Sequence, residues 1–480
     1  MKSKNSNMLK QKREVRENLN LYLFSSGKLI SLFGTAIYTF AVGLYLLKST
    51  GSGLSFATNI VLYTVPMVLI NPIAGVLADK INKKIVVVGA DLLNGIFLLG
   101  IYLLAGRVGL NIPLVYISTF FMTVLACFCN IGIESAKPNL VRKEKLVKIN
   151  SLARVIESGS QVIGPLVGGL IYAFIDMRLF ILFNAISFIL AAVMELFINY
   201  QFNKDETKVC NKCDESVEID GQLKNNVWLK MKEGFQYINS RHHLRALVYI
   251  FIALNFFFNF TIIVPLPYLL NTIWKVDSTI YGIVQGGLPV GMIFGALLIK
   301  RVMEKISYSK LLKRISYSIG FLVVVFSLPL IIFSGVPAQI FVLIYYTTLM
   351  LIGGLVVAWI DIPANVLLQK IVPGEILGRV ISIKWSIVKI VVPLALMISG
   401  YLVNIILPLY LFITGAALFT IFNLWFFSST MGKKFINVSN ENMGEENSED
   451  EENDYNMVIS DGITKEDSED YLKDKVMSTQ

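Results

Sequence analysis

Long apolar runs alternate with short polar connections along most of the chain. Each run is close to the roughly 20 residues that cross a bilayer as a helix. Spans are predicted near 19–47, 56–78, 85–105, 113–136, 152–174, 179–199, 246–270, 279–299, 313–334, 338–366, 380–404 and 406–429. The alternation of a membrane β-strand is absent, and only helices and closed barrels satisfy the backbone in lipid. The expected fold class is an all-α membrane protein of twelve transmembrane helices in two pseudo-symmetric six-helix halves. The long polar stretch inside the chain, 200–245, marks the division.

Five segments follow: a polar amino-terminal segment, 1–18; a first bundle, 19–199; a central loop, 200–245; a second bundle, 246–429; and a disordered tail, 430–480. In the loop, Trp228, Met231, Phe235 and Ile238 recur at helical spacing beside basic residues. That pattern predicts an amphipathic helix on the membrane surface. The halves also resemble each other. A shift of 231 residues sets Val141 on Val372, Glu144 on Glu375, Leu146 on Leu377, Ser151 on Ser382, Ile156 on Ile387 and Gly169 on Gly400. Repeats in one orientation are a mark of six-plus-six transporters, whose substrate site lies at the repeat interface.

Composition agrees: 55% of residues are hydrophobic and 16% charged, against about a quarter charged in soluble domains. Of the 43 Lys and Arg, 37 fall in the connections or first few span residues on one side of the predicted membrane and 4 on the other. By the positive-inside rule, both termini are cytoplasmic and the chain is a multi-pass protein of the cell membrane. The net charge of +9 is therefore membrane topology and not a nucleic-acid signal. Residues 435–480 carry 14 acids against 3 bases, the composition of a disordered arm. No cleavable signal peptide is expected, since the first span exceeds a signal core.

Between spans two and three stands Gly75-Val76-Leu77-Ala78-Asp79-Lys80-Ile81-Asn82-Lys83-Lys84. It resembles the charged helix 2–3 loop of the major facilitator superfamily. Ser160-Gln161-Val162-Ile163-Gly164-Pro165-Leu166-Val167-Gly168-Gly169 is similar to that family's helix 5 antiporter motif. The run from Gln369 through Glu375, Gly378 and Arg379 to Ser382 resembles the helix 10–11 segment of the macrolide-efflux and enterobactin-exporter branch, as does Gly89-Ala90-Asp91-Leu92. The chain departs from the family at Ser160, which replaces a Gly, and at Asn82, which replaces the loop Gly and is expected to keep a left-handed turn. Met122 stands near where many exporters carry an Arg.

The resemblance implies two halves rocking about a central cavity lined by helices 4 and 10, export of substrate, and a proton gradient as energy source. It implies a conformational latch at Gly75, Asp79, Lys80, Lys83, Lys84, Asp91 and Arg379. It also assigns close packing in helix 5 to Ser160, Gly164, Pro165, Gly168 and Gly169.

Ionisable residues inside spans are expensive and mark function. Lys28, Asp91, Glu134, Glu157, Asp361 and Lys389 are the candidates. Asp91 and Glu157 lie within two turns of the cytoplasmic end, near enough to reach water or a loop Lys. Lys28 and Lys389 lie roughly 13–15 Å into their helices by helical rise, where snorkelling accounts for part of the depth. The 231-residue shift carries Asn130 onto Asp361 and Glu134 onto Asn365, so each helix has an acid and an Asn four apart on one face. Asp361 or Glu134 either binds a proton or a cationic group, or pairs with Lys137, Lys370 or Lys389 for structural reasons. Asn255 and Asn259, among four Phe residues of span seven, with Tyr38 and Tyr45 of span one, suit an aromatic cavity for a bulky amphipathic ligand; the alternative is helix–helix glue.

Cys210 and Cys213 form one C-x-x-C with no second pair, so no metal site is assigned. No phosphate loop or nucleophile elbow appears, so no enzyme, no cofactor and no ATPase subunit is expected. The expected partners are a small-molecule substrate and the lipid bilayer. The function read here is secondary efflux of a bulky amphipathic compound of drug, macrolide or siderophore type. The alternatives are a lipid, lysolipid or metabolite transporter, and a non-transporting sensor of the same fold.

Overall fold

The computed structural model describes residues 2–142, 145–202, 235–303, 306, 308–333 and 335–436. The Cys210–Cys213 pair, Trp228, Met231 and the tail beyond 436 lie outside these residues.

The first half contains α1 (Lys2–Thr50), α2 (Gly53–Lys80), α3 (Lys83–Val108), α4 (Ile112–Leu140), α5 (Leu146–Tyr172) and α6 (Met177–Leu196). The second contains α7, which starts at His242 and runs to Ile273, then α8 (Ser278–Met303), α9 (Tyr308–Ile332), α10 (Gln339–Ile371), α11 (Gly374–Leu402) and α12 (Pro408–Ser428). No strand occurs among the described residues. Eleven of these helices are long and apolar enough to cross a membrane. The exception is α5, whose first turns carry Lys148, Arg154 and Glu157. Large side chains such as Phe183, Leu297 and Trp425 are more than half exposed on the outer faces, as a chain solvated by lipid tails requires.

The helices outrun the predicted spans. The polar segment 1–18 is part of α1 and not a separate arm. Glu17, fully buried, accepts from the Arg142 guanidinium at 2.7 Å and from the Arg142 backbone N–H at 2.8 Å. Lys145 stands 3.1 Å from the same carboxylate. Asn20 donates to the Leu140 carbonyl at 3.0 Å. These contacts fasten α1 at Glu17 and Asn20 to the α4–α5 turn. At the other end, residues 430–436 are helical rather than the start of the tail, and Phe435 is buried beside Tyr308. Ile238, expected on a membrane-surface helix, is buried in the same cluster of the second half.

Two features shape the halves. In α7, Asn255 and Asn259 donate to the backbone carbonyls of Phe251 and Asn255, at 3.0 and 2.7 Å. Bonding back to the preceding turn disturbs a helix, and α7 passes into π turns at Asn259–Ile263 and Leu269–Ile273. These asparagines therefore act within their own helix and not as glue between helices. Glycines, in turn, set close approaches. A Cβ at Gly95 of α3 would lie 3.0 Å from the Ala185 carbonyl of α6. Across the halves, α5 packs on α8 and α2 packs on α11.

Candidate functional site

The amino terminus and the turns at 80–83 and 141–145 define one end of the bundle, called the near end. The turns at 51–52, 109–111 and 173–176 define the far end. At the far end the halves meet. Asn404 accepts from the Gly53 N–H at 2.8 Å and donates to the Ser52 hydroxyl at 3.1 Å. Lys48 donates to Ser278 at 2.7 Å. A Cβ at Gly169 would sit 2.4 Å from the Ser278 carbonyl, and one at Gly282 2.4 Å from the Pro165 carbonyl. A Cβ at Gly400 would sit 2.6 Å from that of Ala57. Gly164 and Gly168 meet Ala36 and Phe40 of α1. Ser160 is buried and donates to the Glu157 carbonyl. The helix 5 motif therefore serves two contacts at once, α1 on one side and α8 of the other half on the other.

Behind this closed end lies a cavity of about 460 Å³ between the halves, lined from α1 by Thr35, Thr39 and Phe40, from α2 by Asn59 and Tyr63, from α5 by Glu157 and Gln161, and from α8 by Tyr281 and Gln285. Tyr38 and Tyr45 do not line it. The Tyr38 hydroxyl bonds Ser118 at 2.7 Å inside the first bundle, and Tyr45 donates to the Leu110 carbonyl. Their side chains point along the other face of α1, into the bundle core.

Glu157 links the cavity to a cluster of charges. The Lys28 ammonium, 5% exposed, is 2.7 Å from Glu157 and 3.6 Å from Glu134. Lys137 lies 2.5 Å from Glu134, and Arg154 3.2 Å from Glu157. Lys28 thus reaches acids of α4 and α5 and does not snorkel to water. Glu157 takes a span Lys and a neighbour on its own helix, not a loop Lys. Asn130, one turn before Glu134, is exposed.

The second half has a counterpart. Asp361 borders a separate pocket of about 210 Å³ within that bundle, with Asn255, Phe251, Phe257, Phe258 and Trp385 in its wall. Lys384, 1% exposed, lies over the rings of Phe251 and Trp385, each centroid 4.4 Å away, and donates to Asn365 at 3.4 Å. It is also the electrostatic partner of Asp361. Lys389, singled out from sequence, is exposed. Lys384 lies four residues inside the predicted span 380–404 but counts there among the connection cations, so it is absent from the sequence candidates; the signal available was two aromatics, Phe251 and Trp385, able to cover a cation.

Of the latch residues, the side chains of Gly75, Asp79, Lys80 and Arg379 lie outside the described set. Lys83 donates to the Ser135 carbonyl of α4, in its own half. Asn82 has φ −58° and accepts from the Lys84 N–H at 3.1 Å. It is the amino-terminal cap of α3 and not a left-handed turn residue, because the helix restarts at once. Asp91 is placed away from any loop: it is 1% exposed, among Cys129 of α4 and Glu195 of α6. Sequence reasoning missed that grouping, since Glu195 stands 104 positions away from Asp91 along the chain.

Residues 24–233 match the model of the family described as the Major Facilitator Superfamily. Macrolide efflux protein A of Streptococcus pyogenes is 23% identical over 388 residues, 79% of this chain and 88% of that protein. Among solved structures, a nucleoside transporter superposes with a TM-score of 0.63 at 14% identity, covering 85% of this chain and 99% of its own. A bacterial homologue of the iron transporter ferroportin, in its inward-facing state, gives 0.62 at 16% identity, with 86% and 99% covered. The two structures share the fold with this chain.

Proposed function

This chain belongs to the major facilitator superfamily, a family of transporters rather than enzymes, and we propose that it exports a bulky amphipathic compound by alternating access at the expense of a proton gradient. The observation that carries this reading is the cavity of about 460 Å³ between the halves. It is bounded at the far end by close glycine contacts, and Glu157 stands on its wall. Its aromatic and small polar lining suits a large ligand with few fixed hydrogen bonds. The likeness to macrolide efflux proteins favours export and substrates of that size.

The near end is the side to which the sequence count assigns 37 of the cations, and the positive-inside rule makes that side cytoplasmic. Both termini then lie inside, and the described conformation, pinched at the far end, is the one loaded from the cytoplasm. Rocking the halves breaks the far contacts and forms others at the near end. A contact made in one state only is what biases such an equilibrium. The loop Lys residues and Asp79 are assigned to that near-end closure, and Asp361 or Glu157 to the coupling proton.

The test is accumulation of macrolides and lipophilic dyes in cells with and without the protein, each with and without a proton ionophore. Lower accumulation that the ionophore abolishes is expected. Equal accumulation across the panel, with the protein verified in the membrane, overturns the proposal.

A further inference from the structure

Asp91 of α3, Cys129 of α4 and Glu195 of α6 converge inside the first bundle, where a carboxylate oxygen of each acid and the Cys129 sulfur all lie within 4.8 Å of one another. Asp91 and Glu195 are each 1% exposed, and Cys129 8%. Asp91 hydrogen bonds Cys129 and Ser31. Its second oxygen, Oδ2, and Oε2 of Glu195 are buried without a partner. So is the hydroxyl of Tyr200, just past α6, which is in electrostatic contact with all three residues. Buried polar atoms in folded proteins are nearly always satisfied, and two carboxylates side by side do not stay charged without a counterion. Three unpartnered oxygens around one thiol describe a place for a positive ion.

We propose that Asp91, Cys129 and Glu195, with Tyr200 beside them, bind one thiophilic divalent cation of the zinc type. Sulfur and oxygen donors select that class over magnesium or calcium, which take oxygen alone. The spacing fits: metal–ligand bonds of about 2.0–2.3 Å put neighbouring tetrahedral donors roughly 3.3–3.8 Å apart, so donors within 4.8 Å of one another close by about 1.5 Å at most. The frame is fixed by close packing. Gly95 brings α3 against Ala185 and Ile189 of α6, and Gly132 brings α4 against Val86 and Val87 of α3. Charge is accounted for as well. Binding releases to solvent the thiol proton and the proton held by the carboxyl pair, leaving two carboxylates and a thiolate around a 2+ ion, a net −1. The adjacent cluster of Lys28, Lys137 and Arg154 with Glu134 and Glu157 carries one surplus positive charge. Lys28 itself is occupied by Glu157 at 2.7 Å, so it does not compete for the site. The ion ties three helices of one half together without touching the central cavity. Its binding is therefore separable from transport.

The experiment uses the full chain, purified in detergent, with Cys210→Ser and Cys213→Ser to remove the C-x-x-C as a rival site. Zinc uptake is measured by elemental analysis after desalting, and cobalt substitution by absorption. One equivalent of zinc per chain is expected, with a thiolate-to-cobalt charge-transfer band and a raised thermal midpoint. Cys129→Ser removes the band, and Asp91→Asn or Glu195→Gln weakens zinc binding by at least about tenfold. The reading on the Cys210/Cys213-replaced protein with all three site residues intact decides the matter even if a site variant fails to fold. No stoichiometric uptake there, or a band that survives Cys129→Ser, overturns the proposal. A carboxyl pair that merely shares a proton gives an infrared carboxyl band and no metal uptake, and that result overturns it too.

Discussion

Lys28 is a cation placed where lipid surrounds the bundle, and its cost is met by Glu157 at 2.7 Å and Glu134 at 3.6 Å. Removing one member of a buried pair strands the other, while removing both is often neutral. With Glu157 31% exposed, Lys28→Met or Glu157→Leu is expected to cost about 1–3 kcal/mol, less than the fully buried case. The double variant should recover most of that, as thermal unfolding in detergent will read; additive losses would show that the pair is not coupled. A second prediction concerns Asp361. Asp361→Asn keeps the side chain's shape and removes its charge beside Lys384. If this acid carries the coupling proton, efflux driven by an imposed pH gradient falls to background while equilibrium substrate binding changes less than about tenfold. Unchanged gradient-driven efflux at matched membrane abundance would remove Asp361 from that role. The sequence showed these acids and Lys28 as ionisable residues inside spans, but not their partners. Partner choice depends on helix rotation, which apolar length does not encode. Lys384 escaped for a related reason, because it lies near a span boundary, where hydropathy is least informative.

At the scale of the helix, glycine spacing was the most legible signal. Gly164, Gly168 and Gly169 of α5 sit where helices touch, and the resemblance to the family's helix 5 motif marked them. What it did not reveal is that consecutive glycines serve different neighbours: Gly168 faces Phe40 of α1, while Gly169 faces Ser278 and Gly282 of α8. The approach is tight enough to test. Gly169→Val places atoms where the Ser278 carbonyl stands 2.4 Å from the first added carbon, and backbone cannot step aside. It is expected to wedge the far end apart, raise labelling of a cysteine placed at Gln285, and cut transport. Gly159→Ala, with nothing within 4 Å of its Cβ, should be neutral or stabilising by about 0.5–1 kcal/mol through helix propensity. If both substitutions leave labelling and transport alike, the α5–α8 contact does not hold the far end closed. The π turns of α7 were not readable at all. They follow from asparagines bonding back along their own helix, a choice that competes with packing and leaves no periodic trace.

Across the whole molecule, the halves carry related but unequal charge sites. Each sets a buried Lys beside an acid of α4 or α10, yet the first half takes its Lys from α1 and the second from α11. The succession of long apolar helices was legible because apolar length is a one-dimensional property. The conformation was not, because it depends on which end of the bundle is closed. That end is closed here by Asn404, which joins Ser52 and Gly53 of the first half to the second. These atoms must separate if substrate is to leave on the far side. With the four native cysteines replaced, Ser52→Cys and Asn404→Cys place two thiols across this seam, within reach of a short bifunctional thiosulfonate. Bridging them should abolish transport while substrate binding from the near side persists, and reduction should restore transport fully. A protein that is completely cross-linked and still transports at its starting rate would mean that the far seam never opens, and that substrate takes another path through the fold.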